Sequence, residues 1–373
     1  MKATEFLDVS VHNSPNEGLV QGFPGFTETN PRVMGIVVIQ ASSKALQQRF
    51  DAPLPVKKVG ITLVRCDSVQ TSGYKDKQEL EIGRATLYTS TDKVFRLELP
   101  FILPLKKASA SMRLLDDCIS ISYTLVVAVQ VEQSPIILYK YGVYVRRFDT
   151  LSCLPQYQHS TERTVTAKDH KSVLTASLPQ LAYGQGDKIR GTVHLAANRD
   201  IRSPVKVQSV TMELVQIVTF IGSATGVNKP LEQKRTVLAS ATAYYNRQKL
   251  AHSIERTLEL QVPRYTAQHG PIRPAQDGFI PAEGLVGFTN GCPMFMVSFV
   301  VSFTANLSTS SQDIKGLELK VIIGQFNSES GDLFKSTIIH AKKLAQLDNG
   351  DYFLGSNKRI HTGVPTYSGG WHP

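Results

Sequence analysis

The stretch Ile119–Val131, ISISYTLVVAVQV, decides the fold of this chain. Seven apolar side chains alternate along it with mostly small or polar residues. This is the period of a half-buried antiparallel strand, which turns one face to a core and the other to solvent. A second stretch, Phe295–Phe303 (FMVSFVVSF), has the same alternation.

Each stretch is the middle one of three strand-like segments, and this series of three occurs twice in the chain. Leu97–Pro100 (LELP) precedes the first stretch and Tyr139–Val145 (YKYGVYV) follows it. Leu258–Pro263 (LELQVP) precedes the second and Leu317–Ile323 (LELKVII) follows it. Each step alternates with the period of a strand, so the repeat predicts two all-β domains in tandem.

Further strands are predicted along both halves. Arg32–Ala41 is rich in β-branched residues, and Phe95–Leu103 alternates between apolar and polar side chains. Pro100 and Pro104 make the second half of the latter an edge strand or a bent segment. Residues 108–117 are the one short stretch of the first half that could form a helical turn.

Short strands separated by proline and glycine predict β-sandwiches. The fold class is therefore all-β, with two tandem immunoglobulin-like β-sandwiches. A polar, proline-containing linker at Leu154–Ser160 divides them. We assign residues 1–155 to the first sandwich, 156–326 to the second and 327–373 to a C-terminal tail.

Composition and charge favour some partners over others. The chain has 373 residues, 42% of them hydrophobic, and a net charge of +10. The positive charge is spread over separate doublets, which favours acidic partners such as phosphorylated peptides or anionic lipid headgroups. A soluble basic surface without a dedicated ligand explains it equally well. Nucleic acid is not expected, because the sequence has neither an RNA-binding sheet signature nor a recognition helix.

The cysteines and the apolar segments indicate in which cellular compartment the protein works. Cys66, Cys118, Cys153 and Cys292 lack the spacing of metal ligands or of a redox pair, and so scattered a set suggests a reducing compartment. The start of the chain shows no apolar secretion segment. The apolar runs are shorter than the ~20 residues of a membrane span. We therefore expect a cytoplasmic protein that contacts membranes peripherally.

Motifs of catalysis are missing from the sequence. It has neither a G-x-S-x-G elbow nor an H-E-x-x-H motif, and its histidines are not spaced as metal pairs. Gly184, Gly186 and Gly191 resemble a phosphate loop only superficially and are interpreted as a turn. Asp116 and Asp117 are adjacent and should point apart. We expect no enzyme activity, no metal site and no cofactor.

Two short proline-tyrosine motifs suggest peptide recognition. Leu154-Pro155-Gln156-Tyr157 lies in the linker, and Val364-Pro365-Thr366-Tyr367 lies in the tail. WW domains bind such segments in an extended, polyproline-like conformation. For the linker copy, a packed tyrosine and a stiffened linker are the favoured explanation. The tail copy stands among small polar residues and is the better candidate for a ligand.

The strand patterns resemble the arrestin family. Leu99–Pro104 with Ile121–Leu125 and Tyr144–Arg146 looks like an arrestin N-terminal domain. Tyr183–Ile189 and Val210–Thr219 resemble the opening strands of an arrestin C-terminal domain. The resemblance runs roughly from residue 19 to 326, and residues 22–26 (GFPGF) are similar to the start of its fungal branch.

The resemblance implies an arrestin-related trafficking adaptor, or α-arrestin. Such adaptors bind membrane transporters or receptors and recruit WW-domain HECT ubiquitin ligases, so that the cargo is ubiquitinated and internalised. It implies ligase contacts at Leu154, Pro155, Tyr157, Val364, Pro365 and Tyr367. Basic doublets would suit acidic cargo tails, and Lys106, Lys107, Arg146 and Arg147 are the candidates. The adaptor would work in the cytoplasm, at the plasma membrane and endosomes.

Two alternatives stay open at this stage. One is a retromer-like or coat-like structural subunit with the same tandem sandwiches but without a ligase partner. The other is a β-sandwich hydrolase or sugar-binding protein, which the lack of paired acids and of a secretion signal disfavours.

Overall fold

The protein is described by a computed structural model that covers most of the chain. The described residues are 7–13, 32–42, 56–105 (without 72, 74 and 91–93), 109–197 (without 115, 133 and 148), 205–221, 230–250, 253–264, 287–308, 313–331 and 359–361.

The first half folds into two antiparallel sheets. Its strands are β1 (Leu7–Asn13), β2 (Arg32–Ala41), β3 (Val56–Gln70), β4 (Lys75–Thr89), β5 (Arg96–Pro104), β6 (Met112–Arg113), β7 (Ile119–Val131) and β8 (Ile137–Val143). One sheet has the order β1-β2-β5, and the other has the order β4-β3-β7-β6, with β8 also paired to β7.

The second half repeats the two-sheet plan. Its strands are β9 (Thr161–Thr166), β10 (Ser172–Leu178), β11 (Ala182–Gly184), β12 (Lys188–Ala197), β13 (Lys206–Ile221), β14 (Pro230–Lys249), β15 (Ser253–Gln261), β16 (Asn290–Cys292), β17 (Phe295–Ser308) and β18 (Ile314–Gly324). One sheet has the order β15-β12-β10-β9 and the other β11-β18-β17-β13-β14, with β16 paired to β17.

The predicted fold class is confirmed. The alternating stretches at residues 119–131 and 295–303 lie in β7 and β17, and each of these strands pairs with strands on both sides. Buried and partly exposed residues alternate along β7 from one end to the other. The predicted strand at residues 32–41 has the observed bounds of β2.

The prediction of a helical turn at residues 108–117 was wrong. In its described residues this stretch contains β6, which pairs with β7, and then a tight turn. The turn is closed by the Asp117 amide, which donates to the Leu114 carbonyl at 2.9 Å. Asp117 has a positive φ of 55°, a conformation that Asp tolerates better than most residues.

The two prolines of β5 are accommodated at an edge. β5 pairs with β2 along its length, so that Arg32 lies opposite Pro104. On the other side, the described pairing covers only residues 96–98. Pro100 and Pro104 have no amide hydrogen to donate, and a strand side without a partner does not need one.

In each sandwich, apolar side chains from the two sheets pack against one another and form the core. Side chains that are fully buried include Ile61 and Leu125 in the first sandwich and Leu174 and Phe303 in the second. In the second sandwich, Gly191 lets the sheets approach closely. A Cβ atom at this position would lie 2.6 Å from Met212 Sδ and 2.9 Å from the Phe303 ring. This glycine therefore has a packing role, and Gly186, with a φ of +90°, forms the predicted turn.

The predicted tail contains two described elements. A short helix covers residues 328–331. A short strand, β19 (Arg359–His361), pairs antiparallel with residues 96–98 of β5. The sequence pattern predicted neither element, and the ordered patch expected near residues 335–347 lies outside the described residues. Nowhere in the described part does a helix have the length and hydropathy of a membrane span.

We predict that Leu125→Ala strongly destabilises the protein. Leu125 is fully buried in β7, so truncation removes apolar contacts and leaves a cavity, which lowers the free energy of unfolding by about 2–5 kcal/mol. Urea denaturation followed by circular dichroism measures the change.

Leu138→Ala is the matched control. Leu138 lies on the neighbouring strand β8 but is 58% exposed, so its truncation should change the free energy of unfolding by less than about 0.5 kcal/mol. Equal effects of the two substitutions would contradict the assignment of β7 to the core.

Candidate functional site

The candidate site is the junction between the two sandwiches, which we define by the residues that connect them. From the first sandwich come Arg65, Asp67, Ser109, Ala110 and Tyr123. From the second comes β16, Asn290–Cys292. Direct hydrogen bonds join the two groups, so the junction fixes how one sandwich sits against the other.

A buried ion pair lies at the centre of the junction. Arg65 Nη2 is 2.8 Å from Asp67 Oδ2, and the side chains are 6% and 0% exposed. Both residues occupy inward positions of β3, two residues apart, where the strand elsewhere places apolar side chains. Tyr123 stands opposite Arg65 on β7.

Three hydrogen bonds lie next to this ion pair, and two of them reach the second sandwich. The Tyr123 hydroxyl donates to the Ser109 carbonyl at 2.7 Å, and the Ser109 hydroxyl donates to the Gly291 carbonyl. Asn290 Nδ2 donates to the Ala110 carbonyl at 2.9 Å. A chain of polar contacts therefore runs from β3 through residues 109–110 to β16.

Burial controls the ionisation of the junction. It raises the pKa of the Asp67 carboxyl above its ordinary value, although the Arg65 charge and hydrogen bonds from Arg65 and Cys292 oppose the shift. For Arg65, burial alone lowers the pKa, but the charge of Asp67, the hydrogen bond to it, and the interactions with Tyr123 and Cys292 together outweigh burial, so the net shift is upward. The guanidinium therefore stays charged, and it needs Asp67 as its counter-ion.

The cysteine of the junction is protonated. Burial, with the Asp67 charge as a second cause, raises the pKa of Cys292 to about 12. Since the thiolate is the reactive form of cysteine, this thiol is not a nucleophile at neutral pH. The junction offers hydrogen bonds and charge but lacks an activated group.

Some buried polar atoms of the junction have no partner in the described part of the chain. Arg65 Nε, Asp67 Oδ1 and Asn290 Oδ1 are among them. Each such atom carries an unrecovered desolvation penalty of roughly 1–3 kcal/mol. The junction therefore pairs specific polar groups but leaves some of its hydrogen-bonding capacity unused. The apolar cores on either side have no such cost.

A second contact between the sandwiches forms a cleft of about 400 Å³. Lys234 of β14 pairs with Asp116 of the first sandwich. Burial alone would raise the pKa of Asp116, but hydrogen bonds from Lys234 and Cys118 outweigh it and lower the pKa. The two side chains are 46% and 43% exposed, so the pair contributes no more than about 1 kcal/mol. Asp117 pairs instead with Arg113, so the adjacent carboxylates point apart as predicted.

Arg146 and Arg147 lie where the chain passes between the sandwiches. Arg147 pairs with Asp149, with Nε 2.5 Å from Oδ1, and its amide donates to Gln325 Oε1 at 2.7 Å. The Arg146 guanidinium lies 5.7 Å from the centre of the Tyr144 ring and 5.7 Å from that of Phe326. Both predicted cargo-binding arginines thus have intramolecular partners.

The linker motif adopts a turn. Pro155–Tyr157 form a 3₁₀ turn, whereas WW recognition needs an extended segment. The Tyr157 hydroxyl donates to the Asp149 carbonyl at 2.9 Å, and the Tyr157 carbonyl accepts from the Leu181 amide at 2.9 Å. Pro155 is exposed, while Leu154 and Tyr157 are half-buried. A WW domain would have to unwind this turn in order to bind it.

The other predicted site residues lie outside the described residues. These are Lys106 and Lys107, and Val364, Pro365 and Tyr367 of the tail motif. The structure brings Arg146, Arg147 and Tyr157 into one region, because Asp149 bonds both Arg147 and Tyr157.

Sequence reasoning missed Arg65 and Asp67. A signal was present, since β3 alternates strictly and both residues fall on the positions that are otherwise Val59, Ile61, Leu63 and Val69. Two opposite charges at inward positions of one strand predict a buried ion pair. Their contact with the second sandwich carried no sequence signal.

Among the described residues, no group of three or more His, Cys, Asp or Glu side chains could hold a metal ion. The remaining buried thiol near the cleft, Cys118, has its pKa raised to about 12 by burial and by Asp116.

Comparison with known proteins found one matching family model, in the second half of the chain. Residues 168–327 match the family model described as arrestin (or S-antigen), C-terminal domain. This range contains β10 to β18. A search of curated proteins gave no match. The match and the tandem sandwiches together show an arrestin-fold protein.

We predict that Asp67→Asn weakens the junction. The substitution keeps the side-chain shape but leaves the Arg65 charge buried without a counter-ion, which should lower the free energy of unfolding by about 3–5 kcal/mol. Cys292 should also react faster with iodoacetamide at pH 8, because opening of the junction exposes its thiol. Denaturation and mass spectrometry of the alkylated peptide measure the two effects.

Glu79→Gln serves as the control for Asp67→Asn. Glu79 pairs with Lys77 on β4, where the side chains are 63% and 51% exposed, so its loss should change stability by at most about 1 kcal/mol. It should leave Cys292 labelling unchanged. An Asp67→Asn protein as stable as the Glu79→Gln protein would contradict the central role of the ion pair.

Proposed function

We propose that this arrestin-fold protein is a non-enzymatic adaptor that binds the cytoplasmic tails of membrane transporters or receptors. It would link this cargo to a WW-domain HECT ubiquitin ligase and so direct ubiquitin-dependent endocytosis and sorting. The observation that carries the proposal is the match of residues 168–327 to the arrestin C-terminal domain, within a tandem sandwich whose described residues offer surfaces and not an active site.

The charge of the chain supports an acidic cargo. Its net charge of +10 attracts phosphorylated or acidic tails and anionic lipid headgroups. Because Arg146 and Arg147 already have intramolecular partners, Lys106 and Lys107 are the stronger candidates of the four. Reversing the charge of these two lysines should weaken binding of an acidic peptide, whereas reversal at the exposed doublet Lys57–Lys58 should not.

The tail motif is the better candidate for the ligase. In the linker copy, Tyr157 is held by hydrogen bonds to Asp149 and Leu181, so binding there would have to break them. Val364, Pro365 and Tyr367 stand in a segment rich in Ser, Thr and Gly. The adaptor would act in the cytoplasm, at the periphery of the plasma membrane and of endosomes.

The closed linker turn also favours one alternative. A retromer-like or coat-like subunit uses its tandem sandwiches as a structural part and needs no ligase. With one motif held in a turn, ligase recruitment depends on the tail motif alone, and its failure would leave the structural role.

Pull-down with a purified WW-domain array tests the ligase link. We expect the full chain to bind, Tyr367→Ala to abolish binding, and Pro155→Ala to leave it unchanged. The loss follows from removal of the aromatic ring that the WW groove accepts.

Tyr352→Ala is the matched control, since it removes a tyrosine of the same tail outside a proline motif. It should bind like the unaltered chain. If the unaltered chain binds none of the WW domains, ligase recruitment is wrong and the structural alternative replaces it.

A further inference from the structure

One edge of the second sandwich is long and open. β14 runs from Pro230 to Lys249 and pairs with β13 on one side. On its other side, the described residues contain no partner strand. An open edge exposes a row of backbone N–H and C=O groups that another strand can pair with.

The middle of this edge lacks the charges that usually protect open strands. From Leu238 to Tyr245 the sequence is LASATAYY, without a charged residue or proline. Comparable edges of the same molecule are charged. The exposed charged side chains of the edge strand β4 are Lys75, Lys77, Glu79, Glu81 and Arg84. Edge strands normally carry such charges because they discourage pairing with other chains. In β14 they stand only at the two ends, and residues 238–245 have none.

Apolar side chains on the outer face of the sheet end at the same edge. Val237, Val215 and Val300 lie side by side on β14, β13 and β17. Val215 and Val300 are buried, together with Ile217, in a small cluster separate from the main core. Val237 is 53% exposed, and Tyr244, on the same face of β14, is 78% exposed. A further strand would extend this row and cover both side chains.

The inner face of β14 is also incompletely covered. Leu238, Ala239, Ala241, Ala243 and Tyr245 pack against the core but are only half-buried. These residues contact one neighbouring strand in their sheet and not two. An added strand would therefore bury apolar surface on both faces of the edge.

Positive charge gathers at one end of the open run. Arg247 and Lys249 are exposed, and Lys206 of β13 stands directly opposite Lys249. Within the described chain, these three have no ion pair. At the other end, Lys234 and Arg235 are already paired with Asp116 and Glu318. The edge thus has one unneutralised basic end.

The backbone limits pairing at that end. Asn246 and Arg247 have φ values of 45° and 62°, and two such residues in succession bend a strand away from a regular ladder. The register with β13 also shifts between Val207 and Ser209, opposite this point. The regular part of the edge therefore ends at Tyr245, just before the basic group.

We propose that the open edge of β14 binds an extended segment of a partner protein as an added antiparallel strand. The segment would have small and β-branched residues beside Leu238–Tyr245. Acidic residues at the N-terminal end of the segment would face Lys206, Arg247 and Lys249. Antiparallel pairing places this end of the segment beside the C-terminal end of β14, where these three residues lie. Main-chain hydrogen bonds provide affinity in this mode of recognition, and alternate side chains provide specificity.

A second copy of the chain fits this edge less well. Antiparallel pairing of two copies of β14, centred on the uncharged run, places Lys249 of one copy opposite Lys234 of the other. Pairing of two copies would thus bring positive charges together. A partner with acidic residues would neutralise the basic end, so the charges favour a different protein over a second copy.

Fluorescence anisotropy with the full chain tests the site. The probe is a labelled peptide, DEDTVTVTVS, and the comparison peptide TVTVTVSDED carries the acidic residues at the other end. We expect the first peptide to bind more tightly. Two further versions are N-methylated at alternate backbone nitrogens, in odd or even positions. One version should lose binding, because its methyl groups replace the hydrogens that bond β14, and the other should keep it.

Val237→Lys and Tyr244→Glu place charges on the edge at exposed positions, where they should not disturb folding. Each should weaken binding by about tenfold or more. Met296→Lys is the matched control, because Met296 is 51% exposed on the same sheet face but lies on β17, two strands away from the edge. It should bind like the unaltered chain.

Several results would overturn the site. One is that the acidic peptide does not bind. Another is that both N-methylated peptides bind as tightly as the parent peptide. A third is that Met296→Lys weakens binding as much as the edge substitutions do, which would indicate that the peptide binds on the outer face of the sheet and not at its edge. Self-association that Val237→Lys abolishes would assign the edge to a second copy. All of these are measured on the purified chain without a ligase or cargo, so they separate this site from the adaptor role.

Discussion

The exclusion of water from alternate faces of long strands is the constraint on which this molecule depends. β3, β7, β13 and β17 each have one inward row of apolar side chains, and such a row is stable only against a second sheet. In each half of the chain, two sheets pack face to face and so cover these apolar rows. Because full burial of one such side chain contributes roughly 1.5–3 kcal/mol, the cores dominate over every polar contact in the protein.

The polar junction is built on exceptions to that rule. Arg65 and Asp67 take inward positions on β3, and their mutual charge makes the burial tolerable. Replacement of such a pair by apolar residues is often neutral or stabilising, so stability alone does not account for it. Next to it, Ser109 and Ala110 are hydrogen-bonded to β16 of the second sandwich. We infer that the polar junction adds a defined position of one sandwich against the other.

The basic residues divide into those that hold the molecule together and those that remain available. Arg147, Lys234 and Arg235 are each paired with an acidic side chain, and Arg146 lies against two aromatic rings. Arg247 and Lys249 are exposed and Lys206 is half-buried, beside an uncharged run of β14 that has no second partner strand among the described residues. A high net charge therefore says little about a binding site until the internal ion pairs have been identified.

The sequence by itself determined the all-β class, the tandem sandwiches and the position of the main strands, because strand periodicity is a local property that each segment shows without its neighbours. It also indicated the turn at Gly186 and the divergence of Asp116 and Asp117. Only the tertiary structure decided that the described residues of 108–117 contain β6 and a turn, and that Tyr157 is held in a 3₁₀ turn. It also decided that Arg147 pairs with Asp149, and that β14 has a partner strand on one side only within the described part of the chain. These outcomes depend on contacts between residues far apart in the chain, such as Asn290 with Ala110, and local patterns carry no record of such contacts.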